Sequence, residues 1–172
     1  MKSPHLAILA IGLMMLCAGC AGYHIGASIP KKMAGFKTIA VPTFHNATLV
    51  PRLESLAAST VVQEFQRDGT LQVRSSQDAD VILQGTIDNI RRRGARSVRS
   101  DIVKQQEYNL TVTFNYTLIE RVTGKQIDAG VVVGDTSFFV SGNDVNQDER
   151  QAIPLALEKA ADHIVSHITT GW

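Results

Sequence analysis

EYNLTVTFNYTLIERVTGK, residues 107–125, alternates apolar and polar side chains from Tyr108 to Leu118. Successive side chains on a β-strand point to opposite faces, so this alternation predicts a strand with a core face and a polar face. The TGK turn at its end leads into QIDAGVVVGDTSFFV, which predicts a further strand. The predicted core face carries Tyr108, Leu110, Val112, Phe114, Tyr116 and Leu118, and the polar face carries Asn109, Thr111, Thr113, Asn115 and Thr117.

The chain on either side of this pair supplies further strands and two helices. Runs rich in β-branched residues predict strands over residues 36–44, 71–75 and 79–93. Apolar residues recur at helical spacing within residues 51–69 and again within residues 146–172. The predicted apolar stripes are Leu53, Leu56, Ala57, Thr60, Val61 and Phe65 in the first helix, and Ile153, Leu157, Ala160, Ala161, Ile164 and Ile168 in the second.

This order of elements predicts an α+β fold in a single small domain. The sheet is expected to be mostly antiparallel with four to five strands, and to carry two helices packed on one face. Its other face would then be open to solvent or to a partner. A chain of 172 residues with 44% hydrophobic residues is sufficient for one modest core.

The N-terminal sequence predicts export and attachment to a membrane. Residues 1–19 carry Lys2 and an apolar run too short to span a bilayer permanently, as in a secretory signal peptide. The signal ends in CAGC, which resembles a bacterial lipobox with Cys20 as the lipidated first residue of the mature chain. Residues 20–35 are predicted to be the lipidated N-terminus and a tether, and residues 36–172 the folded domain. The alternative for C-x-x-C is a metal or redox pair, but it needs further ligands and the chain has only 2 cysteines.

Acyl chains on Cys20 would hold the protein on a membrane. Each buried methylene contributes about 0.8 kcal/mol, so two or three chains anchor firmly. Ala21 follows Cys20, whereas an Asp there tends to retain lipoproteins in the inner membrane of enteric-type bacteria, so an outer-membrane location facing the periplasm is implied. Loss of Lys2 with the signal reduces the 17 basic residues by one and leaves a balance with the 16 acidic ones. No nucleic-acid partner is predicted for such a neutral domain.

Positive charge is concentrated in RRRGARSVRSDIVK, residues 91–104, which has Asp101 as its single acid. Guanidinium groups bind phosphates bidentately, and the anions near a lipid-anchored protein are lipid headgroups and phosphorylated glycolipids. The run is therefore a candidate anion-binding site. The alternative is a solvated loop that its charges keep soluble. The candidate ligands are Arg91, Arg92, Arg93, Arg96, Arg99 and Lys104.

The sequence offers little for catalysis or metal binding. It contains no G-x-S-x-G, no phosphate-binding glycine loop and no H-E-x-x-H. SIPK at Ser28–Lys31 matches the S-x-x-K of penicillin-interacting enzymes but has no K-T-G partner. His163 and His167 lie one helical turn apart and would give a metal only two ligands. We therefore expect a non-enzymatic protein with no catalytic residue, no cofactor and no metal site.

Several stretches, in their order behind the lipobox, resemble the LptE family of lipopolysaccharide-assembly lipoproteins. They are CAGYHIG from Cys20, TIAVPTFHNATLVPRLE at 38–54, EFQRDGTLQV at 64–73, ADVILQGTI at 79–87 and YNLTVTFNYTLIERVTGK at 108–125. The resemblance implies a non-enzymatic lipoprotein that plugs the lumen of an outer-membrane β-barrel, LptD, and helps to assemble that barrel. It also implies contact with lipopolysaccharide passing to the cell surface. The arginine run is then a candidate lipopolysaccharide-binding site, which no family motif supports residue by residue.

TIAVPTFHN also resembles periplasmic lipoproteins of similar strand-and-helix architecture. Those proteins are adaptors that activate a cell-wall synthase or build a secretion pore, without contact to lipopolysaccharide. A third alternative, an anchored hydrolase, is disfavoured because no set of nucleophile and base is present. The partner distinguishes the three: a barrel for the first, a synthase or further copies of the chain for the second, and substrate turnover for the third.

Overall fold

The computed structural model describes residues 30–97, 106–140 and 145–171. Within these ranges a short 3-10 turn, Lys31–Met33, precedes six strands and two helices. The predicted signal peptide, Cys20 and most of the tether lie outside the described residues. The strands are β1 (Thr38–Ala40), β2 (His45–Asn46), β3 (Gln72–Val73), β4 (Val81–Ser97), β5 (Gln106–Glu120) and β6 (Gln126–Val140), and the helices are α1 (Leu53–Asp68) and α2 (Val145–Thr169).

The strands form one sheet in the order β3-β1-β4-β5-β6, and β2 also pairs with β4. The long strands β4, β5 and β6 are antiparallel neighbours, whereas β1 pairs with β3 and β4 in parallel, and β2 is also parallel to β4. The predicted α+β class is confirmed. Most of the paired residues are antiparallel, as expected, but the sheet has six strands instead of four to five and is mixed.

Both differences arise around the single strand predicted over residues 36–44. Pro42 has no N–H to donate to a ladder, and the chain here forms two short strands, β1 and β2, in place of one. The parallel pairing of β1 with β3 follows from the connection between them. Helix α1 lies in that connection and returns the chain to the same end of the sheet, which is how parallel neighbours are joined.

The core lies between one face of this sheet and both helices. The predicted alternation of β5 is confirmed, since Leu110, Val112, Phe114, Tyr116 and Leu118 are buried there. The ring of Phe114 meets that of Phe44 edge to face, with centroids 5.8 Å apart. The predicted stripe of α2 is buried throughout. In α1 four of the six predicted residues are buried, whereas Leu56 is exposed and Thr60 is only partly buried.

Helix α2 lies directly against β6 at Gly134. A Cβ placed on this glycine would lie 2.0 Å from the carbonyl oxygen of Ala156 and 2.5 Å from the backbone nitrogen of Ala160. Two alanines on the helix and a glycine on the strand therefore bring the two backbones together without intervening side chains. The helix continues through Pro154, which lies inside it. Over the described ranges, neither helix is long and apolar enough to cross a bilayer.

The chain ahead of β1 is attached to the domain. Met33 is 1% exposed and belongs to the core, and Lys32 Nζ lies 2.8 Å from Asp128 Oδ2 on β6. Asp128 also accepts a hydrogen bond of 3.3 Å from the Tyr116 hydroxyl. Burial, reinforced by the charge of Asp128, raises the pKa of Tyr116 to about 12. The predicted division into tether and domain at residue 36 stays a prediction, but the core includes a side chain from before it.

Candidate functional site

The sheet face opposite the helices is open, and its composition follows from the register of the three long strands. On β4 the side chains of Arg91 and Arg93 point to this face. Arg91 is paired with Thr111 of β5, which in turn is paired with Asp135 of β6. Arg93 is paired with Asn109, the next outward-facing residue of β5. The predicted polar face of β5 thus forms the middle of a three-strand surface that has arginines along one side.

Arg91 and Arg93 are both exposed. Within the described part of the chain, neither forms an ion pair, so their guanidinium groups are available to an external anion. In an extended strand, outward side chains two residues apart lie about 6.5 Å from each other. Two guanidinium groups at that spacing suit a ligand with two phosphates or a phosphate and a carboxylate.

Arg92 lies on the other face of β4. It forms an ion pair with Glu149 of α2, and its guanidinium carbon lies 5.7 Å from the centroid of the Tyr108 ring. That ring stacks on Phe138, with centroids 5.7 Å apart. These are contacts that hold the start of α2 against the sheet. The structure therefore separates Arg92 from its two neighbours in the predicted cluster.

The side chains of the remaining members of the predicted cluster are not described. The backbone of Arg96 lies in β4, paired with Glu107, and its side chain is not described. Arg99 and Lys104 lie outside the described residues, as does the predicted lipid-attachment residue Cys20. The segment from residue 91 was expected to be a loop or a strand extension, and as far as Ser97 it is an extension of β4.

The open face also has an apolar border, which is not among the features predicted from the sequence. Val131, Val133 and Phe139 of β6 are large, exposed and directed to this side. Their signal in the sequence is the pair of unbroken apolar runs VVV (131–133) and FFV (138–140). Adjacent strand residues face opposite ways, so VVV directs two side chains outward and one to the core, and FFV directs one outward and two to the core.

A second unpredicted feature is the loop of residues 47–52, which we call the β2–α1 loop. The Asn46 side chain organises it, donating to the carbonyl oxygen of Val50 (2.8 Å) and to Glu54 (3.0 Å). Its Oδ1 accepts from the backbone N–H and the hydroxyl of Thr48, at 2.9 Å and 2.7 Å. Every donor and acceptor of this amide is therefore used. Asn46 is thus the organising residue, and an Asn followed two residues later by Thr is the sequence signal for such a turn.

The β2–α1 loop directs a leucine into water. Leu49 is 102% exposed, so it is as accessible as in an isolated extended peptide. Arg52 at the end of the loop has φ 62°, and it is the one non-glycine residue with positive φ in the described ranges. That left-handed conformation costs about 1 kcal/mol for a residue with a Cβ. The loop lines a groove of about 500 Å³ together with Phe44 and His45.

Nothing in the described residues forms a metal site. They contain no group of three or more His, Cys, Asp or Glu side chains able to hold an ion. Of the two histidines considered for this role, His163 lies with Nδ1 2.8 Å from the carbonyl oxygen of Val133. Because a carbonyl only accepts, Nδ1 is the donor, and only Nε2 is left for another ligand. This contact covers one backbone carbonyl on the free edge of β6.

The comparisons with known proteins agree on the fold. A family model described as LptE, lipopolysaccharide-assembly, matches residues 36–168. A search of curated proteins gives no match. Among solved structures, a minor lipoprotein from Acinetobacter baumannii is 14% identical at TM-score 0.52, covering 79% of this chain and 94% of its own. Protein XCC0632 from Xanthomonas campestris is similar in fold, at 14% identity and TM-score 0.52, with 79% of this chain and 85% of its own covered. The protein CT253 from Chlamydia trachomatis is also similar in fold, at 9% identity and TM-score 0.52, with 77% of this chain and 95% of its own covered.

Proposed function

Because the chain belongs to the LptE family of lipopolysaccharide-assembly proteins, we propose that it is the lipid-anchored plug of an LptD-type outer-membrane β-barrel. In this role it is non-enzymatic, and it assists the transfer of lipopolysaccharide to the cell surface. The observation that supports a direct contact with lipopolysaccharide is the pair of exposed arginines on the open sheet face, Arg91 and Arg93. Their partners there would be the phosphates of lipid A or of the core.

The shape and polarity of the domain are compatible with a barrel lumen. Both helices cover one face of the sheet, and the other face presents hydroxyl, amide and guanidinium groups along β4 and β5. The interiors of large outer-membrane barrels are polar and filled with water or a plug. A domain with one wet, hydrogen-bonding face can lie in such a lumen without exposing its core.

The barrel partner is tested by affinity purification of the full-length tagged protein from detergent-solubilised host membranes, followed by mass spectrometry. We expect a stoichiometric outer-membrane barrel of the LptD type. Recovery of a cell-wall synthase, or of copies of the chain alone, would overturn the plug and favour the adaptor described above. Recovery of the barrel without lipopolysaccharide would support the plug and restrict the proposal to assembly.

The anchor is tested by Cys20→Ala in the full-length chain. This substitution removes the thiol that would carry the acyl chains, so we expect it to abolish incorporation of radiolabelled fatty acid into the protein. Cys17→Ala is the matched control, because Cys17 would leave with the signal peptide and its loss should keep the label. Fatty acid is measured instead of membrane attachment, because the proposed barrel would also retain the protein on the membrane. Equal label in the two variants would contradict lipidation at Cys20.

A further inference from the structure

The β2–α1 loop combines features that a loop serving only as a connection does not need. Val50 packs against the core, while Leu49 beside it stays fully in water. The bonds of Asn46 fix the backbone on both sides of Leu49, and this sets the direction in which the leucine side chain leaves the chain. Single exposed apolar residues are common on protein surfaces, but this one is held outward by a saturated hydrogen-bond network.

Strain in the loop points in the same direction. Arg52 adopts a left-handed backbone conformation that a glycine would adopt freely. Such outliers persist where the surrounding structure imposes them, and they are concentrated at binding and switch regions. Here the next residue, Leu53, is buried and begins α1, so the left-handed turn at Arg52 sets how the loop projects from the helix.

From these observations we propose that the β2–α1 loop is a preformed protein-docking element whose Leu49 side chain enters an apolar pocket of the barrel wall. This inference rests on the proposed function and adds the surface by which the chain contacts its partner. The loop needs little ordering on binding, and preorganisation of this kind favours affinity because less conformational freedom is lost.

The residues around Leu49 specify the chemistry of that pocket. Ala47 and Pro51 are exposed on either side of the leucine and extend the apolar contact. Arg52 and His45 are exposed at its margins and provide positive or hydrogen-bonding groups. The complementary surface is an apolar hollow the size of one leucine with carboxylates on its rim. A bilayer surface is the alternative partner for an exposed leucine beside an arginine, and the crosslinking test below distinguishes lipid from protein.

The position of the loop is consistent with a contact on the arginine side of the molecule. Strand β2 pairs in parallel with β4 at Asn46 and Ile87, and Ala47 donates to the Ile87 carbonyl at 3.0 Å. The loop therefore leaves β2 in the direction in which β4 runs on to Arg91. The turn between β5 and β6, which carries the exposed Val122, lies at the opposite end of these strands.

The test is Leu49→Glu in the full-length tagged protein, purified from host membranes as above. Since Leu49 is fully exposed, we expect unchanged membrane attachment and an unchanged unfolding temperature, with at least about tenfold less barrel recovered. Val122→Glu is the matched control, because Val122 is 76% exposed on a turn far from the loop, and it should leave the recovery unchanged. Asn46→Ala keeps the leucine but removes the network, so it should lower the recovery less than Leu49→Glu.

The outcomes separate the two proposals. Full recovery of the barrel with Leu49→Glu would overturn the docking element and leave the plug intact. An equal loss with Val122→Glu would also overturn it, because the effect would then come from added charge alone. If the unsubstituted protein recovers no barrel, both the proposed function and this inference are overturned. A photo-crosslinker at position 49 should label the barrel, and labelling of lipid alone would contradict the assignment.

Discussion

Gly134→Ala should lower the free energy of unfolding by about 3 kcal/mol. The new methyl group would lie 2.0 Å from the Ala156 carbonyl oxygen and 2.5 Å from the Ala160 nitrogen. Both are backbone atoms of α2, so no change of side-chain rotamer can relieve the clash. The helix would have to move away from β6, which would loosen the core around Leu157 and Ile164. Urea denaturation of the purified protein, followed by circular dichroism, measures the loss.

Gly94→Ala provides the matched control for this prediction. Gly94 is also a strand glycine, in β4, but a Cβ there would meet nothing closer than the Tyr108 ring at 4.0 Å. Its substitution should change stability by no more than about 0.5 kcal/mol, as is usual at permissive surface positions. Equal stability of the two variants would mean that α2 does not approach β6 as closely as described.

Replacing Arg91 and Arg93 together by Glu should weaken lipopolysaccharide binding roughly a hundredfold. Each arginine would lose a charge-assisted hydrogen bond to phosphate, which contributes on the order of 1.5 kcal/mol, and two such losses correspond to that factor. The fold should be unaffected, because both side chains are exposed and neither forms an ion pair within the described ranges. Titration of the full-length protein with purified lipopolysaccharide measures the change.

The control for this pair must carry the same change in net charge. Arg74 and Lys125 are exposed on other parts of the surface, so Arg74→Glu with Lys125→Glu is suitable. This control should lose little affinity, since exposed charges more than about 10 Å from the ligand are largely screened at physiological salt. Equal losses in the two double variants would indicate a general charge effect. Unchanged binding in the Arg91 and Arg93 variant would favour the solvated-loop interpretation of the run.

The sequence predicts the strands and helices well where burial is periodic. Strand β5 and helix α2 each bury one face in the same core, and this is why their apolar residues recur with the period of a strand and of a helix. The periodicity could not predict the pairing of β1 and β2. These strands have only three and two residues, and their parallel partners lie far away in the sequence. A strand of two or three residues is too short to show an apolar–polar alternation, so its position depends on its contacts in the folded sheet.

The arginine run shows the other limit of sequence interpretation. The run of positive charge suggests that all its side chains lie on one surface. Arg91 and Arg92 nevertheless face opposite sides of the sheet, because β4 extends through both of them. The partners that allow Arg92 on the core side are Glu149 and Tyr108, which come from other parts of the chain. The residues next to Arg92 in the sequence do not predict these partners. The β2–α1 loop escaped prediction for a related reason, since its Asn46 network becomes evident only when the turn is closed.

The alternation along β4 also has a consequence for how such a protein can diverge. Arg92 is tied to Glu149, so its replacement is coupled to changes in the helix. Arg91 and Arg93 lie one residue away on either side. Among the residues that the structure describes they share no ion-pair partner with Arg92, so they should tolerate substitution independently. On the proposed function, a lineage could therefore change its affinity for a different surface glycolipid through these two positions. The stability of the domain would stay nearly constant while its ligand changed.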